Sequence, residues 1–139
     1  MALSGSVQRA RPGLIGFDHS SGRLSKAQTR QFFNRGFKYC IRYISRTPES
    51  RQQHETDGTP DLSMDEARNI LDSGMALMAV QHVAGTGWVP SLSLGSEYGA
   101  NAANFASAAG LIEGVNVWLD LEDIPHVTAH QDIINYSNA

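Results

Sequence analysis

The sequence predicts an α/β fold: a parallel sheet of βα units covered by helices. Three observations carry this. Strand-sized apolar runs alternate with helix-patterned segments in the order βαβαβαβα, with crossovers of helix size. Each run ends in polar residues, and sites in parallel α/β sheets lie at the carboxyl ends of strands. The stretch from Gly114 to Asp123, G-V-N-V-W-L-D-L-E-D, alternates with period two. Val115, Val117, Leu119 and Leu121 form an aliphatic face that suits a helix layer. Asn116, Trp118, Asp120 and Glu122 share the other face, where two neighbouring carboxylates cost stability unless protonated, paired or ligated.

In chain order, residues 1–13 are polar and small and read as a flexible lead-in, leaving 14–139 as one domain. Leu14 to Asp18 is the first strand. Ser25 caps a helix over Lys26 to Arg35, which Gly36 stops. Tyr39 to Ser45, β-branched and aromatic, is the second strand. Residues 46–61, with Pro48, Gly58 and Pro60, read as a long polar loop. Ser63 and Glu66 form a capping box for a helix with Ala67, Ile70 and Leu71 as its apolar stripe. Ala76 to Val83 is the third strand. After a second long loop with Trp88 and Pro90 comes an Ala-rich helix from Glu97 to Ala109, whose small residues let it sit close on a sheet. The fourth strand follows, and Thr128 begins a last helix that breaks off at Ala139.

Two architectures fit this order: half of a TIM-type (β/α)8 barrel, or an open four-stranded doubly wound sheet. A full barrel takes roughly 250 residues. The chain has 139, so the half-barrel reading expects truncation at the C-terminus.

Composition narrows the function. Apolar residues are 41% and charged residues 18%, the balance of a globular chain. A net charge of −3 without a basic block argues against nucleic acid. The longest apolar runs are strand-sized, so no membrane span is expected, and no signal peptide is visible. The lone Cys40 has apolar neighbours and reads as a small buried residue. There is no glycine-rich phosphate loop after the first strand.

The polar residues gather at one edge: Asp18 on the first strand, Arg42 and Tyr43 on the second, Gln81 and His82 on the third, Asp120 and Glu122 on the fourth. Arg42 reads as an ion-pair partner for Asp18 on the neighbouring strand. Gln81 also fits a satisfied core amide. Trp118 shares the face of the acids and reads as a wall of the site. His126 and His130 stand four apart, but without a partnered Glu the pair is weak evidence for a metal, and none is expected.

The strand-one G-F-D, the strand-two Y-C-I-R-Y-I-S, the helical S-M-D-E-A and the strand-four N-V-W-L-D-L-E together resemble a glycoside-hydrolase-like βα-barrel family of unknown function. That family is similar to the family 25 lysozymes, which cleave peptidoglycan. The resemblance covers residues 14 to about 124. It implies an N-terminal half barrel and a glycoside hydrolase acting on cell-wall-type polysaccharide without a cofactor. By family resemblance the place of action would be extracellular or at the cell wall. The lysozymes' strand-one Asp and strand-four D-x-E match Asp18 and Asp120-x-Glu122. In that chemistry Glu122 donates the proton, Asp120 stabilises charge or orients a substrate amide, and Asp18 positions water or sugar. Arg42 and Gln81 would support substrate binding, with Tyr43, Trp88 and Trp118 packing on sugar faces.

Two rivals remain open. One is a non-catalytic module that binds a glycan or a partner with the same cleft. The other is a hydrolase holding a metal on Asp18, Asp120 and Glu122. The partner expected is a polysaccharide. Open sheet edges also invite an edge-to-edge homodimer. Gly16, Cys40, Ala79 and Trp118 are expected on the inward face.

Overall fold

The computed structural model describes residues 3–139. Nine elements follow in order: β1 (Gly16–His19), α1 (Lys26–Asn34), β2 (Tyr39–Ile44), α2 (Pro48–Asp57), α3 (Met64–Asp72), β3 (Ala76–Gln81), α4 (Leu92–Ala108), β4 (Val117–Leu119) and α5 (His130–Ser137). The four strands are parallel and stand in the order β1-β2-β3-β4. Sequential order is the barrel arrangement, because a doubly wound sheet must reverse direction at a switch point. The fold is therefore α/β, with a parallel sheet laid out as half of a (β/α)8 barrel.

Local chemistry explains the elements. Ser25 and Gln28 close a full capping box on α1. Ser63 accepts from the Glu66 backbone N–H, but the Glu66 side chain is used elsewhere, so α3 has half of the expected box. Residues 46–61 are not a loop throughout. Thr47 caps α2 with a reciprocal Ser50, Pro48 opens it, and Gly58 ends it in the left-handed region at φ 85°. No α2 residue is buried, so apolar periodicity had nothing to show there. Helix α4 starts at Leu92 with Ser91 as cap, earlier than Glu97. The glycine inside its first turns, Gly95, is needed for packing: a Cβ there would lie 2.3 Å from the Tyr136 carbonyl oxygen of α5. Strand β4 is only three residues long, and the chain turns at Glu122 and Asp123, three residues beyond Leu119. Helix α5 begins at His130, so His126 lies outside it and the two histidines do not share a helical face.

The sheet has two unlike faces. Cys40, Ile44 and Ala79 point to the helices and join Leu24, Leu62, Ala67, Ile70, Ala102 and Ala106 in the core. Phe17, Phe32 and Phe37 pack at its β1 end, with ring centroids 4.2–5.8 Å apart. Cys40 and Ala79 thus belong to the helix face, not the inward face. Alternation along β2 and β3 had placed them one residue out of phase. The opposite face carries Gly16, Asp18, Ile41, Tyr43, Met78, Val80 and Trp118, all exposed or half-buried. Residues 4–13 are exposed and form no helix or strand, while Leu3 donates its N–H to the Gly110 carbonyl at 2.9 Å.

Candidate carboxylate site at the strand ends

Every strand delivers its polar residues to the same edge, since all four run the same way. Which face each residue takes then decides its role. Alternation puts Arg42 on the helix face and Tyr43 on the open face of β2.

Arg42 is fully buried and its partner is Glu66, not Asp18. Its Nε donates to Glu66 Oε1 at 2.8 Å and its Nη2 to Oε2 at 3.1 Å, a bidentate pair. The same guanidinium donates to the carbonyls of His19, Gly22 and Pro60, and Glu66 Oε1 also accepts from the Leu24 N–H at 2.8 Å. Asp18 lies on the other side of the sheet and is out of this network. Arg42 therefore braces the loop after β1, the connection into α3 and α3 itself. Burial, and then the Arg42 charge, lower the His19 pKa below its ordinary value. Gln81 is also on the helix face. Its Nε2 donates to the Tyr98 carbonyl at 2.8 Å and its Oε1 accepts from the Tyr136 hydroxyl at 3.2 Å. It is the satisfied core amide, and it ties β3 to α4 and α5. Burial pushes the Tyr136 hydroxyl up to about 12 and the Cys40 thiol up to about 12, so Cys40 is no thiolate at neutral pH.

The open face holds the rest. The Tyr43 hydroxyl donates to Asp18 Oδ2 at 3.2 Å across β1 and β2. Partial burial raises its pKa most, followed by the charge and hydrogen bond of Asp18 and the charges of Asp120 and Glu122. Of the three carboxylates only Asp18 touches this hydroxyl; Asp120 and Glu122 act on it through their charge alone. Trp118 is 56% exposed on this face. Asp120 is half-buried, and its Oδ1 accepts the Glu122 N–H at 3.1 Å, turning the chain sharply. The Glu122 side chain stands in solvent instead of on an enclosed apolar surface, because β4 has already ended. Trp88 is a clamp on this turn: its Nε1 donates to the Glu122 carbonyl at 3.0 Å and its ring packs edge-on against Tyr136 at 5.1 Å. Asp123 follows at φ 61°, accepting the Gly87 N–H at 3.1 Å.

Sequence reasoning passed over Glu66, Ser45, His54 and Asp61. Glu66 was absorbed into a capping motif, and the other three lay in or beside the segment read as loop. No helix is long and apolar enough to cross a membrane among the described residues.

The chain is similar to one solved structure in particular, the Tat-secreted protein Rv2525c of Mycobacterium tuberculosis in complex with L-tartrate. The TM-score is 0.64 at 20% sequence identity, over 86% of this chain and 57% of that one. This likeness shows the fold, and the chain spans under two thirds of that protein's length. No curated protein sequence matches. A sequence profile of the Rv2525c-like, glycoside hydrolase-like domain family matches residues 30–139. The chain belongs to the Rv2525c-like, glycoside hydrolase-like domain family.

Proposed function

We propose that the open face is a sugar cleft and that the domain hydrolyses a cell-wall-type, peptidoglycan-like polysaccharide. The observation that carries this is the Tyr43–Asp18 hydrogen bond on the open face that also bears the exposed Trp118, with Asp120 and Glu122 at the end of the strand carrying that tryptophan. Glycoside hydrolysis asks for a proton at the leaving oxygen and negative charge near the developing oxocarbenium ion. Glu122 is free to reach a leaving oxygen, since its side chain is exposed and, unlike the Asp18 and Asp120 carboxylates, accepts no hydrogen bond within the chain. Asp120, whose Oδ1 accepts the Glu122 N–H, would stabilise charge or orient a substrate amide. Asp18, held by Tyr43, positions the water or a sugar hydroxyl. Trp118 offers a flat apolar face for a ring to pack on. Arg42 and Gln81 act from beneath, by fixing the strands and loops that carry these groups, and Trp88 acts by holding the Glu122 turn.

The exposure of Glu122 favours one second reading, a module that binds the same glycan without turning it over. One experiment separates the two. Wild type and Glu122→Gln are incubated with insoluble peptidoglycan, and both released reducing ends and bound protein are measured. The hydrolase reading expects release by wild type, about a hundredfold less by the variant, and equal binding. Equal release would remove Glu122 from its role. Binding without release by either protein would establish the binding module. The edge-to-edge homodimer also stays with this proposal, since β1 and β4 each pair on one side only. Light scattering of the purified chain tests it, a dimer mass being expected.

A further inference from the structure

Beside Tyr43, on the same rim, three residues come together that the carboxylate site does not use. His54 lies in the last turn of α2, Asp61 in the connection to α3, and His82 directly after β3. One ligand-capable atom from each lies within 4.8 Å of the other two. His54 Nδ1 is 3.8 Å from Asp61 Oδ1. Asp61 is 1% exposed and held from behind: Ser45 donates its N–H to Oδ2 at 3.0 Å and its hydroxyl to Oδ1 at 2.6 Å. The Ser45 hydroxyl also lies 2.8 Å from His54 Nδ1. The two imidazole rings pack 4.1 Å apart, and the His82 ring lies 4.6 Å from that of Tyr43.

A plain hydrogen-bonded cluster accounts for Ser45, His54 and Asp61. It leaves His82 over, because the His82 Nε2 is buried without a hydrogen-bond partner among the described residues. A buried polar atom left unpaired is destabilising and asks for an occupant. Two imidazoles and a carboxylate are a donor set that suits zinc. The Ser45 contacts orient the carboxylate as outer partners orient metal-ligating groups. Donor atoms round a tetrahedral zinc stand about 3.3 Å apart at bond lengths of about 2.0–2.1 Å, so the His54–Asp61 gap needs to close by only about 0.5 Å. Two cations stand nearby. Arg51 Nε lies 3.7 Å from Asp61 Oδ2, the oxygen not facing His54, and Arg46 donates to the His82 carbonyl at 3.3 Å. They weaken the field of the carboxylate and keep the affinity below that of an all-cysteine structural site.

We infer that His54, Asp61 and His82 form a binding site for a divalent transition-metal ion of the zinc class, with a fourth position left for water. The ion would fasten α2 and its connection to the end of β3, next to the residue that holds Asp18. Sequence spacing gave no hint of it: Asp61 and His82 are brought together by the β2–β3 pairing, not by a local motif.

The test is calorimetric titration of zinc chloride into the chelator-treated full chain, with thermal melting alongside. One zinc per chain is expected, with a rise in Tm. His54→Gln and His82→Gln should each weaken binding at least tenfold, while His126→Gln leaves it unchanged. Circular dichroism checks that each variant folds. If neither does, zinc-induced NMR shifts of the His54 and His82 imidazole protons in the wild type decide instead. Zinc binding weaker than millimolar, binding undiminished in both variants, loss on His126→Gln, or unshifted His54 and His82 protons would each overturn the site.

Discussion

The two faces of the sheet are built from the same strands and obey opposite rules. On the helix face the polar residues of the strands are matched: Arg42 with Glu66 and three carbonyls, Gln81 with Tyr98 and Tyr136. On the open face the acids have one tyrosine hydroxyl and a backbone N–H between them. Like charges gathered without a countercharge do nothing for the fold. The difference teaches that neighbours in sequence, Arg42 and Tyr43, belong to different tasks. The first holds the scaffold and the second stands on the open face.

The sharpest way to break this division is at Arg42. Arg42→Met or Glu66→Gln leaves a buried partner uncompensated and should cost about 3–5 kcal/mol of stability, read from urea denaturation. Loss of activity in these variants should follow loss of fold. Glu122→Gln is the mirror experiment. It should leave the denaturation midpoint unchanged within about 0.5 kcal/mol while glycan hydrolysis drops about a hundredfold. Should Glu122→Gln destabilise as strongly as Arg42→Met, the two-face division fails. Gln81→Leu strands the Tyr98 carbonyl and the Tyr136 hydroxyl and should cost about 1–3 kcal/mol, with α5 losing amide-exchange protection first.

The smallest effects are the two tyrosines, one from each face. Both hydroxyls are raised above the ordinary tyrosine value of about 10. A group whose folded value exceeds its unfolded value lends stability that is whole below the unfolded value and is lost as pH rises through the folded one. For Tyr136 the window runs from about pH 10 to about 12. Tyr136→Phe should therefore flatten the alkaline decline in stability, measured by urea melts at several pH values. Tyr43→Phe should flatten it less and cost about 0.5 kcal/mol at neutral pH.

Much of the fold was legible because period-two and period-3.6 patterns report burial directly. Strand β2 was read as Tyr39 to Ser45 and ends at Ile44, and α1 begins at Lys26 as expected. The pattern failed where burial is absent or unusual. Helix α2 buries nothing, and its signals were only its caps, Thr47, Pro48 and Gly58. The start of α4 was hidden by Gly95, which is there for α5. At the site, alternation gave the edge and put Asp18 and Trp118 on one face, but on β2 it ran one residue out of phase, so Tyr43 was not placed beside them. It did not give partners. Arg42 was assigned to Asp18 because the two strands are neighbours, yet the side chains leave the sheet on opposite sides. His54 and Glu66 sit on α2 and α3 and Asp61 in the connection between them, and no local pattern encodes which strand residues they meet.

The sequential strand order has a consequence for how the chain folds. Gly16 pairs beside Tyr39, Tyr39 beside Ala76, and Ala79 beside Val117, so every ladder closes a loop of one βα unit. Closure entropy grows only with the logarithm of loop length, about 0.6 kcal/mol per doubling. The closures are therefore alike in entropic cost, and none must wait for a distant segment. Each unit can dock on the one before it as the chain leaves the ribosome. The Arg42–Glu66 clasp can form as soon as α3 emerges, before β3 and β4 have followed it out. The helix face, on this order, is fastened before the two acids of the β4 end exist to repel Asp18.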